Sequence, residues 1–146
     1  MSLGRALLRI QAAYFVLTGL WSLFGVRTFQ RVTGPKVDIW LVKTVGVLVT
    51  VIGGALALGA RRRGQLAPET LALAAGSAAA LAGIDVWYVT RGRISRVYLL
   101  DAAAEAAFFA AGALTARSDR PFDVGGRGPG EPDPVVHAEA QKVARP

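Results

Sequence analysis

Long apolar stretches alternate with short basic punctuation along this chain. Residues 10–26 and 44–60 carry no charge at all. Residues 70–90 carry only Asp85, and residues 97–116 carry only Asp101 and Glu105. Basic side chains stand between these stretches: Arg5 and Arg9, then Arg27, Arg31, Lys36 and Lys43, then Arg61, Arg62 and Arg63, then Arg91, Arg93 and Arg96. A helix of about 20 mostly apolar residues crosses the hydrocarbon core of a bilayer. The pattern therefore predicts an all-α protein, a transmembrane four-helix bundle with spans over about 3–26, 35–60, 68–90 and 95–116. A soluble bundle needs a broad polar face on every helix, and residues 45–60 offer nothing more polar than Thr50 and glycine.

The ends of the stretches carry helix punctuation. Pro35 and Pro68 suit first-turn positions, where the missing N–H has no helical partner to lose. Glu69 then faces the positive end of its helix dipole. Arg91-Gly92-Arg93 stops the third span, and Ser95 is the expected N-cap of the fourth. Four spans place both termini on one side. Counted close to the spans, that side has eight bases and the other has seven. Orientation follows the Lys/Arg bias, which is almost nil here. The dense Arg61–Arg63 run favours cytoplasmic termini in a multi-pass protein of the cytoplasmic membrane. No secretory signal peptide is expected, because no small-residue cleavage site follows the first apolar run.

Composition sharpens this division. The 146 residues are 53% hydrophobic with a formal net charge of +7, and mean hydropathy is +0.40. Residues 117–146 hold five bases, five acids and five of the seven prolines, with Gly125-Gly126-Arg127-Gly128-Pro129-Gly130 among them. That segment lacks hydrophobic periodicity and reads as a flexible Pro/Gly-rich tail. The whole +7 thus belongs to residues 1–116, the four-helix domain. Its bases flank spans, where lipid headgroups are the nearest anions, so the bilayer is the expected partner and nucleic acid is not. With no cysteine and a single histidine, His137, disulfides, thiol chemistry, Cys-ligated zinc and poly-His sites are excluded. No cofactor and no metal are expected.

The acids carry the candidate chemistry. Asp101 and Glu105 are i, i+4 and share one helix face. They lie ~9 Å and ~15 Å inside a helix starting at Ser95, and Lys43 lies ~11 Å inside the second span from the same side. Asp85 stands near the end of the third span, and Asp38 begins the second, where it faces the helix dipole. Intramembrane carboxylates are costly and turn toward the bundle interior. Lys43 is the natural partner of Glu105 or Asp101, and Arg93 and Arg96 can reach back to Asp85. Such an acid–Lys network can simply lock the helices together. It can also form the polar centre of a pocket, with Glu105, Asp101 and Asp85 as candidate acid/base groups.

The aromatics bear on that choice. Trp21, Trp40, Trp87, Tyr88 and Tyr98 all lie toward the same side as these acids, whereas aromatic belts normally occupy both interfaces. With Tyr14 and Lys43 they are the candidate ligand-binding residues. Gln11, Tyr14, Thr18 and Trp21 form a polar stripe on the first span that either completes the pocket or supplies interhelical hydrogen bonds. Small residues should bring helices together: Ala72, Gly76 and Ala80 in the third span, and the rows Ala102, Ala106, Ala110 and Ala103, Ala107, Ala111 in the fourth. A homodimer or larger membrane complex is compatible with these stripes.

Residues 27–42, with Thr33-Gly34-Pro35-Lys36, Asp38 and Trp40, and residues 84–101, with Tyr88 and Arg91-Gly92-Arg93-Ile94, resemble a group of small bacterial four-span integral membrane proteins. The resemblance covers roughly residues 10–116. The general size and layout are also similar to DoxX-like proteins. The resemblance implies the four-span fold and carries no activity with it. The chain is expected to bind a small or lipid-like ligand or to serve as an accessory subunit. The alternatives are a membrane-embedded enzyme acting on a hydrophobic substrate and a small proton-coupled transporter.

Overall fold

The computed structural model describes residues 3–62 and 64–118. Five helices account for most of them: α1 (Leu3–Phe24), α2 (Val26–Thr33), α3 (Ile39–Arg61), α4 (Pro68–Thr90) and α5 (Tyr98–Ser118). No strand occurs among the described residues. Helices α1, α3 and α4, of 22, 23 and 23 residues, are long and apolar enough to cross a membrane. Helix α5 has 21 residues and carries Asp101 and Glu105 in its first half. Residues 119–146, most of the segment read as a flexible tail, lie outside the described residues.

Helix α2 is an element that the apolar pattern does not announce, because it is short and lies between two spans. Val26, Phe29, Gln30 and Thr33 form its inner face at i, i+3, i+4 and i+7, while Arg27 and Arg31 are exposed. It follows α1 after a single residue, Gly25. Trp21 closes the corner by donating its indole N–H to Thr28 Oγ1 at 2.8 Å and meeting the Phe29 ring edge-on at 5.4 Å. Helix α3 starts at Ile39, four residues after the proline expected to open it. Gly34, at φ +89, turns the chain in the left-handed region where a side chain is strained, and residues 34–38 run outside any helix. The α4–α5 hairpin uses Gly92 at φ +66 in the same way. Ser95 lies three residues before α5, which opens at Tyr98. Its hydroxyl accepts from the Val97 N–H at 3.4 Å.

Helices α1 and α3 form the tightest pair. A Cβ placed on Gly53 would lie 2.9 Å from the Ala12 carbonyl oxygen, Phe15 Cβ and Val16 Cγ2. One placed on Gly19 would lie 2.7 Å from the Gly46 carbonyl oxygen, and one on Gly46 would collide with Ser22 Oγ. Without a hydrophobic driving force between helices in lipid, such close backbone approach is what holds them together. Leu8, Ala12 and Phe15 of α1, Leu56 and Ala60 of α3 and Ala74 of α4 are buried together as the apolar core.

Helix α5 packs on α4 and, less extensively, on α1. The buried positions are Ala74, Ala78 and Asp85 on α4 and Ala102 and Glu105 on α5. Of the small-residue rows expected at the helix contacts, Ala102 is buried and Ala111 half-buried, and the others are displaced from this face. Ala72, Gly76 and Ala80 are all exposed, as are Ala103, Ala106, Ala107 and Ala110. Alanine is so frequent in both helices that four-residue spacing recurs on several faces, and only the acids distinguish the inner one.

Candidate functional site

Tyr14, halfway along α1, points across the bundle and donates its phenolic O–H to Asp101 Oδ1 at the start of α5. The Phe108 ring packs against the Tyr14 ring at a centroid distance of 5.6 Å. Asp101 is also within hydrogen-bonding reach of Asp85 on α4, and Glu105 lies one turn further along α5. Three helices thus deliver one phenol and three carboxyl groups to a single junction. Glu105 is 1% exposed and Asp85 is 6% exposed. Asp85 Oδ2 and Glu105 Oε2 are buried with no hydrogen-bond partner.

Lys43 does not join this junction. It is exposed on α3, while α5 makes its main contacts with α4 and α1. The charges that bear on Glu105 are those of Asp101 and Asp85, so acid faces acid and no base intervenes. The helix arrangement explains the difference from expectation. Equal depth in two helices does not bring side chains together when α3 packs mainly on α1. Arg91 and Lys36 are occupied elsewhere: Arg91 stacks over the Trp87 ring at 4.0 Å and Lys36 over the Tyr98 ring at 4.7 Å. Asp38 is exposed before α3 and makes no side-chain cap.

The aromatic candidates divide sharply. Tyr14 reaches the acids. Trp40 is 68% exposed and Trp87 54% exposed, and Trp21 and Tyr88 also face outward. Tyr98 is half-buried beneath Lys36. These side chains form a rim with basic neighbours at one end of the bundle, and none of them lines the cavity between α1, α4 and α5. The polar stripe on α1 is likewise shared among several jobs. Gln11 donates its side-chain N–H to the Ala74 carbonyl on α4 at 2.9 Å, Thr18 bonds back to the Tyr14 carbonyl at 2.8 Å, and Trp21 serves α2.

A cavity of about 270 Å³ opens between α1, α4 and α5, next to the junction. Leu7, Leu8, Leu71, Ala75 and Phe109 give it apolar walls, and Gln11 and Phe108 also line it. Phe109 is four residues beyond Glu105, a rise of about 6 Å along the helix. Tyr14 is one turn beyond Gln11, and its ring touches that of Phe108. The cavity has no counterpart among the candidate residues read from the chain. Its walls are ordinary leucine, alanine and phenylalanine, and only Gln11 on an apolar helix marks the place. Among the described residues, no group of three or more His, Cys, Asp or Glu side chains is placed to hold a metal ion. No protein family matches the chain, and comparison with curated proteins and with solved structures finds no match.

Proposed function

We propose that this chain is a four-span integral membrane protein, with α5 as the fourth crossing, that binds a small lipid-like molecule in the cleft between α1, α4 and α5. One observation carries the reading. The cleft is apolar along its length and ends at Gln11 and Phe108, beside a buried polar junction. Ligand sites combine apolar walls with a few placed polar groups that fix orientation. The carboxyl groups of α5 face other helices, as costly polar groups within a membrane must. The likeness of residues 27–42 and 84–101 to small bacterial four-span proteins also favours counting α5 as a span.

In this reading the outward Trp40, Trp87 and Tyr88 are interfacial anchors. Lys43 belongs to the basic rim rather than to an acid–Lys network. The cytoplasmic membrane is the site of action, with the N-terminal end of α1 and the C-terminal end of α5 on the cytoplasmic side.

Two experiments test it. The chain has no cysteine, so single introduced cysteines report sidedness without background. Gly64→Cys and Ser118→Cys should label from one face of sealed vesicles and Arg93→Cys from the other. Labelling of Ser118→Cys from the same face as Arg93→Cys removes α5 as a span. For the ligand, native mass spectrometry of protein released from nanodiscs should show a bound small amphiphile. Ala75→Phe, which fills the cleft, should lose it without changing the unfolding midpoint. Equal retention by both proteins places the ligand elsewhere.

A further inference from the structure

The apolar cleft and the buried acids are neighbours between α1, α4 and α5. We infer that the ligand of this cleft is an amphiphilic cation, with an alkyl chain along the walls and an ammonium group at the junction of Asp85, Asp101 and Glu105. The inference rests on the cleft being the ligand site.

Charge balance supports it first. Asp85 and Glu105 are at least nine-tenths buried, and each has an oxygen with no hydrogen-bond partner. A buried carboxylate needs a compensating charge or donor, because its desolvation is otherwise uncompensated. The protein supplies one phenol, Tyr14, and spends it on Asp101. Helix α1 brings Tyr14 and Gln11, and Gln11 is bound to the Ala74 carbonyl. Helix α4 brings Asp85, and α5 brings Asp101 and Glu105. The nearest base by depth, Lys43, is exposed on α3. The site is thus built with acceptors in excess and its missing partner is positive.

Geometry gives the class. Of the two side chains with an unpartnered oxygen, Glu105 lies about one helical turn along α5 from the Phe108–Phe109 end of the cleft, while Asp85 lies about 15 Å along α4 from Ala75, both by the helical rise. A molecule whose head has passed Phe108, with its alkyl chain left along the cleft walls, holds that head beside Glu105. The aromatic rings beside the junction, Tyr14 and Phe108, favour an alkylated ammonium, which is attracted to ring faces as well as to carboxylates. An anionic amphiphile such as a fatty acid meets three carboxyl groups with no cation among them, and a neutral one brings no charge to the two unpartnered oxygens.

The test uses the full chain in dodecyl maltoside micelles, where no lipid headgroup competes. Binding of decyltrimethylammonium, decanol and decanoate is measured by isothermal titration calorimetry on the unmodified protein. The cation should bind one site at least tenfold more tightly than decanol, and decanoate should not bind. Glu105→Gln with Asp85→Asn should reduce the cation to the affinity of decanol and leave decanol unchanged. Ala75→Phe should abolish both. Equal affinity for cation and alcohol on the unmodified protein, unaffected by the acid substitutions, overturns the inference. It means that protons, not a ligand, balance the carboxylates, while the cleft itself survives. Failure of all three probes to bind, with no effect of Ala75→Phe on retained lipid, removes the cleft reading as well. The comparison of probes needs no variant, so a folding defect in the double substitution does not shield the inference.

Discussion

Helix α1 has two working faces, and they are built from opposite chemistry. Toward α3 it offers Gly19, Ser22, Ala12 and Phe15 against Gly46, Gly53 and Thr50, and every polar atom there is consumed locally. Ser22 bonds to the Gly19 carbonyl at 2.8 Å and Thr50 to the Gly46 carbonyl at 2.7 Å. Toward α4 and α5 the same helix offers Gln11 and Tyr14 to a junction in which two carboxyl oxygens remain unpartnered. The first face has its polar groups satisfied and its backbones in contact, which is how a membrane protein acquires stability. The second leaves a cavity and unmatched charge. Sites of function are where proteins tolerate such local inconsistency, so the α1–α3 seam reads as scaffold and the α1–α4–α5 junction as the working part.

Breaking the scaffold should have the largest effect. Gly53→Leu forces a side chain into the Ala12 backbone and the Phe15 side chain, where even a Cβ is within 2.9 Å. Overpacking of this kind costs about 3 kcal/mol, and backbone atoms cannot yield as a flexible side chain would. The unfolding midpoint in detergent should fall steeply. Gly76→Leu serves as the matched control, since nothing lies within 4 Å of a Cβ at that position. An equal loss in both variants means that helix propensity or lipid contact, not the seam, sets stability.

The acids should behave in the opposite sense. In ligand-free protein, at a pH high enough to ionise these acids, Asp85→Asn with Glu105→Gln removes buried like charges repelled by Asp101 and by each other. Replacing uncompensated buried charge by neutral groups of the same shape is stabilising, here by about 1 to 2 kcal/mol. A structural acid–base lock predicts a loss of similar size. The sign of the midpoint shift therefore separates a junction built for binding from one built to staple helices.

How much of this was legible before the helices were assembled differs between the two faces. Three long apolar helices and an all-helical chain follow from hydropathy alone, because the bilayer demands them. Glu105, Asp101, Asp85 and Tyr14 were also identifiable, since polar groups in apolar stretches are conspicuous. The partner of the acids was not. Depth along a span is computable from rise per residue, but rotation about the helix axis and choice of neighbour are not, and Lys43 fails on both. The glycine seam escaped notice for a related reason. Gly46 and Gly53 are seven residues apart with Gly19 opposite, a match visible only when two helices are laid together, whereas the alanine rows of α4 and α5 are periodic by sheer abundance. The cleft left almost no trace, because a cavity is an absence between helices and has no residue type.

Tyr14→Phe tests the side-chain hydrogen bond that ties α1 to α5 at the second face. The ring stays against Phe108 and only the phenolic donor is lost. A hydrogen bond within a membrane bundle contributes about 1 kcal/mol, so the midpoint should fall slightly. The larger consequence is for the junction, which then has no internal donor for Asp101. Tighter binding of the cationic probe to Tyr14→Phe than to the unmodified protein is expected. Unchanged binding means that Asp101 stands outside the ligand's reach.

The smallest effect is expected at Lys43, and its smallness is informative. The residue is exposed on α3, so Lys43→Met removes a surface charge and keeps the length of the side chain. Exposed substitutions of this kind change stability by no more than about 0.5 kcal/mol. Were Lys43 the counter-ion of Glu105, its removal would strand a buried carboxylate and cost about 3 to 5 kcal/mol, comparable to breaking the glycine seam. A midpoint within error of the unmodified protein removes Lys43 as counter-ion of the acids, the place that a cationic ligand would take. A large drop returns Lys43 to the junction and makes the second face of α1 as structural as the first.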